Sequence, residues 1–96
     1  MKKIAVSVPE EVSREVELLF YKYNSLMNII IFLEENNKID EERLEKKIDD
    51  LTLIYAELEK KKEYYSSIYQ GEINGTPISY TFNFVEKQII YEVEDE

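Results

Sequence analysis

Carboxylates are the side chains with which this chain could do chemistry. Asp and Glu total 21 against 12 Lys and Arg, with no His and no Cys. Adjacent pairs stand at Glu34-Glu35, Glu41-Glu42 and Asp49-Asp50. Two carboxylates can divide acid and base work when burial or like charge separates their pKa values. Here each pair falls on the polar side of an apolar repeat, so a solvated surface is the expectation. Without imidazole or thiol there is no ordinary zinc site and no cysteine nucleophile. The Glu-x-x-His pattern of di-iron bundles is excluded with the histidines. Residues Asn36 to Glu42 lack the alternating oxygen ligands around a glycine that a calcium loop needs. Two glycines in the whole chain leave no phosphate-cradling loop. The reading is therefore a protein that is not an enzyme and carries no cofactor or metal.

Eight tyrosines and four phenylalanines form the other chemically distinctive set. Tyr64-Tyr65 and Tyr80 could stack on bases, but no basic groove accompanies them. Tyr23, Tyr55, Tyr65 and Tyr69 fall on apolar repeats and are expected in the core.

Two heptad stripes of coiled-coil type must position all of these groups. The first is Val12, Val16, Leu19, Tyr23, Leu26, Ile30 and Leu33. The second is Leu44, Ile48, Leu51, Tyr55, Leu58, Lys62, Tyr65 and Tyr69. Steps alternating between four and three place each set on one helical face. Lys62 interrupts the second stripe, where its long stem can snorkel. Helices are predicted over 9–35 and 40–70. Pro9 suits the first turn, and Ser7 with Glu10 offers a capping box. Asn36-Asn37 favours a turn, Asp40 is an N-cap, and Ile39 with Leu44 fits a hydrophobic staple. Glu41 and Glu42 near the start of the second helix, and Lys60 to Lys62 towards its end, suit the helix dipole. Gly71 is a natural stop. The short connection makes the pair an antiparallel hairpin.

Beyond Gly71 the apolar period becomes two. Ile78, Tyr80, Phe82 and Phe84 alternate with polar residues, and Ile89, Tyr91 and Val93 return after a turn at Val85 to Gln88. This predicts Phe84 opposite Ile89, Phe82 opposite Tyr91 and Tyr80 opposite Val93. Asn74-Gly75 is a turn dipeptide, and Pro77 restricts its strand to an edge. Ile4, Val6 and Val8 alternate as well. The hairpin brings both chain ends to its base, where a three-stranded sheet would bury all three apolar faces. The expected fold is α+β, one domain over 1–96, in the order β-α-α-β-β.

The net charge of −9 disfavours phosphate backbones, so nucleic acid is an unlikely partner. Residues 1–33 are neutral; the acidic excess lies in the middle and in the tail from Glu92 to Glu96. The longest continuous apolar run, Ile29 to Leu33, is too short for a signal core or a membrane span. No membrane role and a cytoplasmic location are expected.

Several apolar residues fall outside the stripes. Leu18, Tyr21, Ile29, Ile31 and Phe32 do so on the first helix, and Leu53 and Ile54 on the second. A two-helix hairpin has one seam, so these residues need another surface. Either they meet a partner protein, a peptide or a second copy, or the helices splay and the residues widen one core. Tyr21, Ile29, Ile31, Phe32, Leu53 and Ile54 are the candidate partner-binding set.

Two resemblances bear on function. The segment Lys3-Ile4-Ala5-Val6-Ser7-Val8-Pro9-Glu10-Glu11-Val12 resembles the strand and helix start of ribbon–helix–helix repressors. That resemblance implies a dimeric DNA-binding regulator with Lys3, Ala5 and Ser7 in the major groove. The family breaks between two short helices, whereas here one apolar period continues through Tyr23-Asn24-Ser25-Leu26. The whole layout looks more like the small CXXX-repeat peptide modification system proteins. Its carriers are the opening strand, the segment Tyr21-Lys22-Tyr23-Asn24-Ser25-Leu26, and an aromatic hairpin of Phe82-Asn83-Phe84 with Ile89-Ile90-Tyr91. Tyr64-Tyr65 stands where tryptophans are expected late in the second helix. This resemblance implies an accessory protein that presents a ribosomally made peptide to its modifying enzyme. The leading expectation is a non-catalytic adaptor for a peptide or partner enzyme. The alternatives are the DNA-binding regulator and an acidic inhibitor or decoy.

Overall fold

The structure is a computed structural model and describes residues 2–36 and 40–94. Its elements run β1 (Lys2–Ser7), α1 (Glu10–Asn36), α2 (Glu41–Tyr69), β2 (Pro77–Asn83) and β3 (Gln88–Val93). A short 3₁₀ turn, Gln70–Glu72, follows α2. The expected α+β order β-α-α-β-β is therefore present: a long antiparallel two-helix hairpin with one small sheet at its base.

Helix termini follow local chemistry, with three departures from expectation. Asp40 caps α2 by accepting the Arg43 backbone N–H at 2.9 Å. At α1, Ser7 belongs to β1 and forms no capping box; the Pro9 carbonyl accepts from Val12 and Ser13 at 3.1 and 3.2 Å. Pro9 thus sits just before the helix, where its missing N–H costs nothing. At the far end of α2, the 3₁₀ turn takes up the last carbonyls, and Gly71 does not adopt the left-handed conformation. Lys60 to Lys62 lie well before Tyr69, and the last turn of α2 holds no basic residue, so they do not offset the dipole there. Asn36 ends α1 with its side-chain amide donating to the Phe32 carbonyl at 2.7 Å. The Asn37 half of the predicted turn and the Ile39 staple lie outside the described residues.

The sheet has the order β1-β3-β2, entirely antiparallel, so the last strand is the central one. Val6 pairs with Ile89 and Ile4 with Tyr91 on one side of β3. On the other side Phe82 pairs with Ile89 and Tyr80 with Tyr91, a register two residues from the predicted one. The cause is the turn, which spans Phe84 to Lys87. Asn83 Oδ1 accepts the Glu86 N–H at 3.0 Å, and Lys87 closes the turn at φ 54°. A slip of two keeps every side chain on its expected face. Ile78 leaves the alternation because β2 bulges between Pro77 and Ser79, which exposes it. Pro77 opens an edge strand, the position its missing N–H allows.

The inward face of the sheet forms one core of Val6, Val8, Ile89 and Tyr91, the helices form a second of Val16, Leu19 and Leu58, and Tyr65 and Phe82 pack against both. Ser13 and Ser66 are buried on the helices, and Tyr91 donates its hydroxyl to the Ser66 carbonyl at 2.7 Å. The apolar stripes do not reveal these two buried polar positions. Tyr23, Tyr65 and Tyr69 pack against the core as expected, but Tyr55 and Ile48 remain exposed because the sheet ends before reaching them.

Ile89 is fully buried at the centre of the sheet. Ile89→Ala is expected to cost about 2–5 kcal/mol, and Tyr91→Phe about 1 kcal/mol for the lost hydrogen bond. Val85→Ala, at the exposed turn tip, should stay within about 0.5 kcal/mol of wild type. Urea unfolding of the three variants checks the ranking.

Candidate functional site

The apolar residues outside the seam divide between two faces of the hairpin. Residues eleven apart lie about three turns apart on the same flank, whereas residues two apart are separated by about 200°. Leu18 and Ile29 form one such row, and Tyr21 with Phe32 a second beside it. Phe20 and Ile31 form a third row, on the opposite flank. Phe20 packs on Phe84 of the sheet turn with ring centroids 5.8 Å apart, which marks its flank as the sheet side. The six candidate residues therefore do not make one patch. Ile31 looks towards the sheet side beyond the end of the sheet. Tyr21, Ile29 and Ile54 are brought together on the open side.

There, Leu18, Tyr21, Leu26 and Ile29 of α1 meet Ile54 of α2 around a shallow depression of about 450 Å³. Leu18 is 55% exposed and Tyr21 56%. Phe32 and Leu53 are also exposed and lie on neighbouring rows without lining it. Ile54 is half-buried and forms its floor. Leu18 is an off-seam residue outside the candidate partner-binding set, and its eleven-residue spacing to Ile29 is the sequence signal that includes it.

A second depression, of about 610 Å³, adjoins the first towards the base. On α1, Glu15 precedes Leu18 by three residues, and on α2, Glu57 and Lys61 follow Ile54 at steps of three and four. Glu15 is the pivot. Lys61 Nζ lies 2.7 Å from one of its oxygens, and the Tyr65 hydroxyl donates to the other. These bonds, from Lys61 first and Tyr65 second, hold the Glu15 carboxyl below its ordinary value. The same contact raises the Lys61 ammonium, and it pushes Tyr65, helped by burial, up to about 12. Each group is moved away from neutrality, the reverse of what general acid–base work requires. The trio acts as a polar clamp between the helices. Among the described residues, no group of three or more acidic, His or Cys side chains is arranged to hold a metal ion.

A third depression, about 330 Å³, runs between the free edge of β2 and α2, lined by Glu63, Ser67, Gln70, Pro77 and Tyr80. The groups pointed to by the ribbon resemblance, Lys3, Ala5 and Ser7, are exposed on the outer face of the sheet. However, β1 is paired along its length with β3 of the same chain, and α1 continues unbroken through Tyr23 to Leu26. The acidic surface of α2 is interrupted by Lys61 bound to Glu15 and by Lys62, which reaches Glu59 at 3.2 Å. Asp95 and Glu96 of the acidic tail lie outside the described residues. Although its continuous apolar run is short, α1 is long and apolar enough by length and composition to cross a membrane.

In comparisons with known proteins, no family model, curated protein or solved structure matches this chain.

The clamp makes stability depend on pH at both extremes. Glu15 titrates lower in the folded chain, so its contribution is present above the ordinary carboxyl value of 4.5 and is lost as pH falls through the lowered value. Tyr65 and Lys61 titrate higher when folded. Their contribution is complete below the ordinary values of 10.0 and 10.5 and disappears as pH rises, for Tyr65 through about 12. Tyr65→Phe should remove the tyrosinate step near pH 12 from a spectrophotometric titration. It should also flatten the loss of stability above pH 10.0.

Proposed function

We propose that this protein is a non-catalytic accessory or adaptor that acts by binding another polypeptide. The observation that carries this reading is the apolar depression on the open side of the hairpin, where Leu18, Tyr21, Ile29 and Ile54 converge. Contiguous exposed apolar surface of this kind is characteristic of interaction sites. The polar clamp beside it supplies a rim, and its protonation states favour binding geometry over proton transfer. The resemblance to peptide modification system proteins supports a role in which the bound polypeptide is a precursor peptide or its enzyme. For an extended peptide, the free edge of β2 offers backbone pairing beside the groove lined by Glu63 and Gln70.

Replacing Ile29 and Phe32 by serine tests the reading, since both side chains are about half exposed, at 47% and 57%. The double variant should lose its partner in an affinity pull-down from native extract while its circular dichroism and thermal midpoint stay close to wild type. Melting of the variant domain would make the residues core and end the proposal.

A further inference from the structure

We infer that the open side of the hairpin is covered by a second copy of this chain, giving a symmetric four-helix dimer. The proposal rests on reading that face as protein-binding and names its occupant.

Surface area is the first argument. A folded monomer of 11.5 kDa is expected to expose about 5,800 Å², whereas this chain exposes 7086 Å². The excess, about 1,300 Å² by that scaling, exceeds the ~800 Å² that each partner buries in a standard stable interface. Shape agrees. The radius of gyration is 16.9 Å, against about 12–13 Å for a compact chain of this length. The molecule measures 53 × 29 × 19 Å, with the sheet covering only the base of one hairpin face. A two-helix hairpin of this length has one seam, and its upper half lacks a third layer.

The location of exposed apolar side chains is the second argument. Leu18, Tyr21 and Ile29 line the depression on the side away from the sheet and are 47–56% exposed, and Phe32, on the Tyr21 row, is 57% exposed. This side runs from base to tip without a projecting strand, so a second hairpin can lie along it. On the other flank, the sheet stands in the way at the base. An isologous contact places the same rows of both copies against each other, as a two-fold axis requires.

Charge is the third. The chain carries −9 overall, which opposes self-association. Yet the two depressions on this side hold Lys22, Lys60 and Lys61 against Glu15 and Glu57. This face is thus free of the acidic excess that would repel an identical molecule.

Sedimentation equilibrium of the full chain tests the inference. Wild type is expected at twice 11.5 kDa at tens of micromolar. Leu18→Glu with Ile29→Glu should halve that mass while the far-ultraviolet circular dichroism is retained. Ile31→Glu with Ile48→Glu, on the sheet-side flank, should leave it doubled. A monomeric wild type, or a dimer that survives Leu18→Glu with Ile29→Glu, overturns the proposal. Should the charged pair fail to fold, cysteine placement decides, because the chain has no cysteine of its own. Ser25→Cys, on the depression, should form a covalent dimer with a short bis-maleimide, and Ser79→Cys, on the sheet, should not. The reverse result refutes the dimer. A monomeric wild type that still loses a foreign partner on Ile29→Ser with Phe32→Ser defeats only the second-copy inference. A monomer that captures nothing defeats the adaptor reading as well.

Discussion

The central place of β3 is the constraint on which the rest of this structure depends. Tyr91 lies fully buried in that strand, with its ring against the hairpin base and its hydroxyl on the Ser66 carbonyl. The same strand pairs with β1 on one edge and β2 on the other. The first and last segments of the chain are thereby joined, and the two helix ends between them are held at a fixed distance from the sheet. A buried phenol needs a partner for its hydroxyl, and the carbonyl of a small residue on α2 provides one without opening a gap. Forming the β1–β3 ladder requires closing nearly the whole chain into a loop, a cost that only the collective burial of Val6, Ile89 and Tyr91 can offset.

This arrangement concentrates the core at one end. Near the base, Val12, Tyr65 and Tyr69 of the helices pack against the sheet core, and Phe20 meets Phe84 of the turn after β2. Beyond that contact the helices have only one another. Tyr23 against Tyr55, with ring centroids 5.6 Å apart, belongs to this two-layer region, where half of a large side chain stays in solvent. The functional proposal follows from this asymmetry. A well-packed base provides a stable platform, and the upper hairpin presents apolar rows that the chain cannot bury by itself. The clamp of Glu15, Lys61 and Tyr65 sits at the boundary between the two regions. It bridges α1 and α2 on the flank that carries the depression formed by Leu18, Ile29 and Ile54.

Much of the architecture was legible in the residue pattern. Alternating steps of four and three define α1 and α2 within a residue or two, and Asp40 marks the start of α2 through its own side-chain chemistry. The switch to a period of two after Gly71 announces the strands, and shared phase places Ile4, Val6, Ile89 and Tyr91 on one face. Register escaped, because it depends on the Asn83 side chain and a left-handed Lys87, an unusual conformation for that residue. The bulge at Ile78 escaped for a related reason: Pro77 permits an edge strand but does not say where its ladder breaks.

For the candidate site, residue type and helical spacing together identified Tyr21, Ile29, Phe32, Leu53 and Ile54 as apolar side chains outside the seam. Which of them converge was decided by the tertiary structure. Covering one flank with the sheet separates Ile31 from Ile29, although the two are near neighbours in sequence, and it turns Leu18 into a lining residue. Likewise, Glu15 and Tyr65 are fifty residues apart and acquire a shared hydrogen bond only when the hairpin closes. Helical periodicity determines the angular position of each side chain on its own axis. Which angles face protein and which face solvent depends on where the third layer lands, and here Tyr91 of that layer reaches the carbonyl of the buried Ser66 on α2.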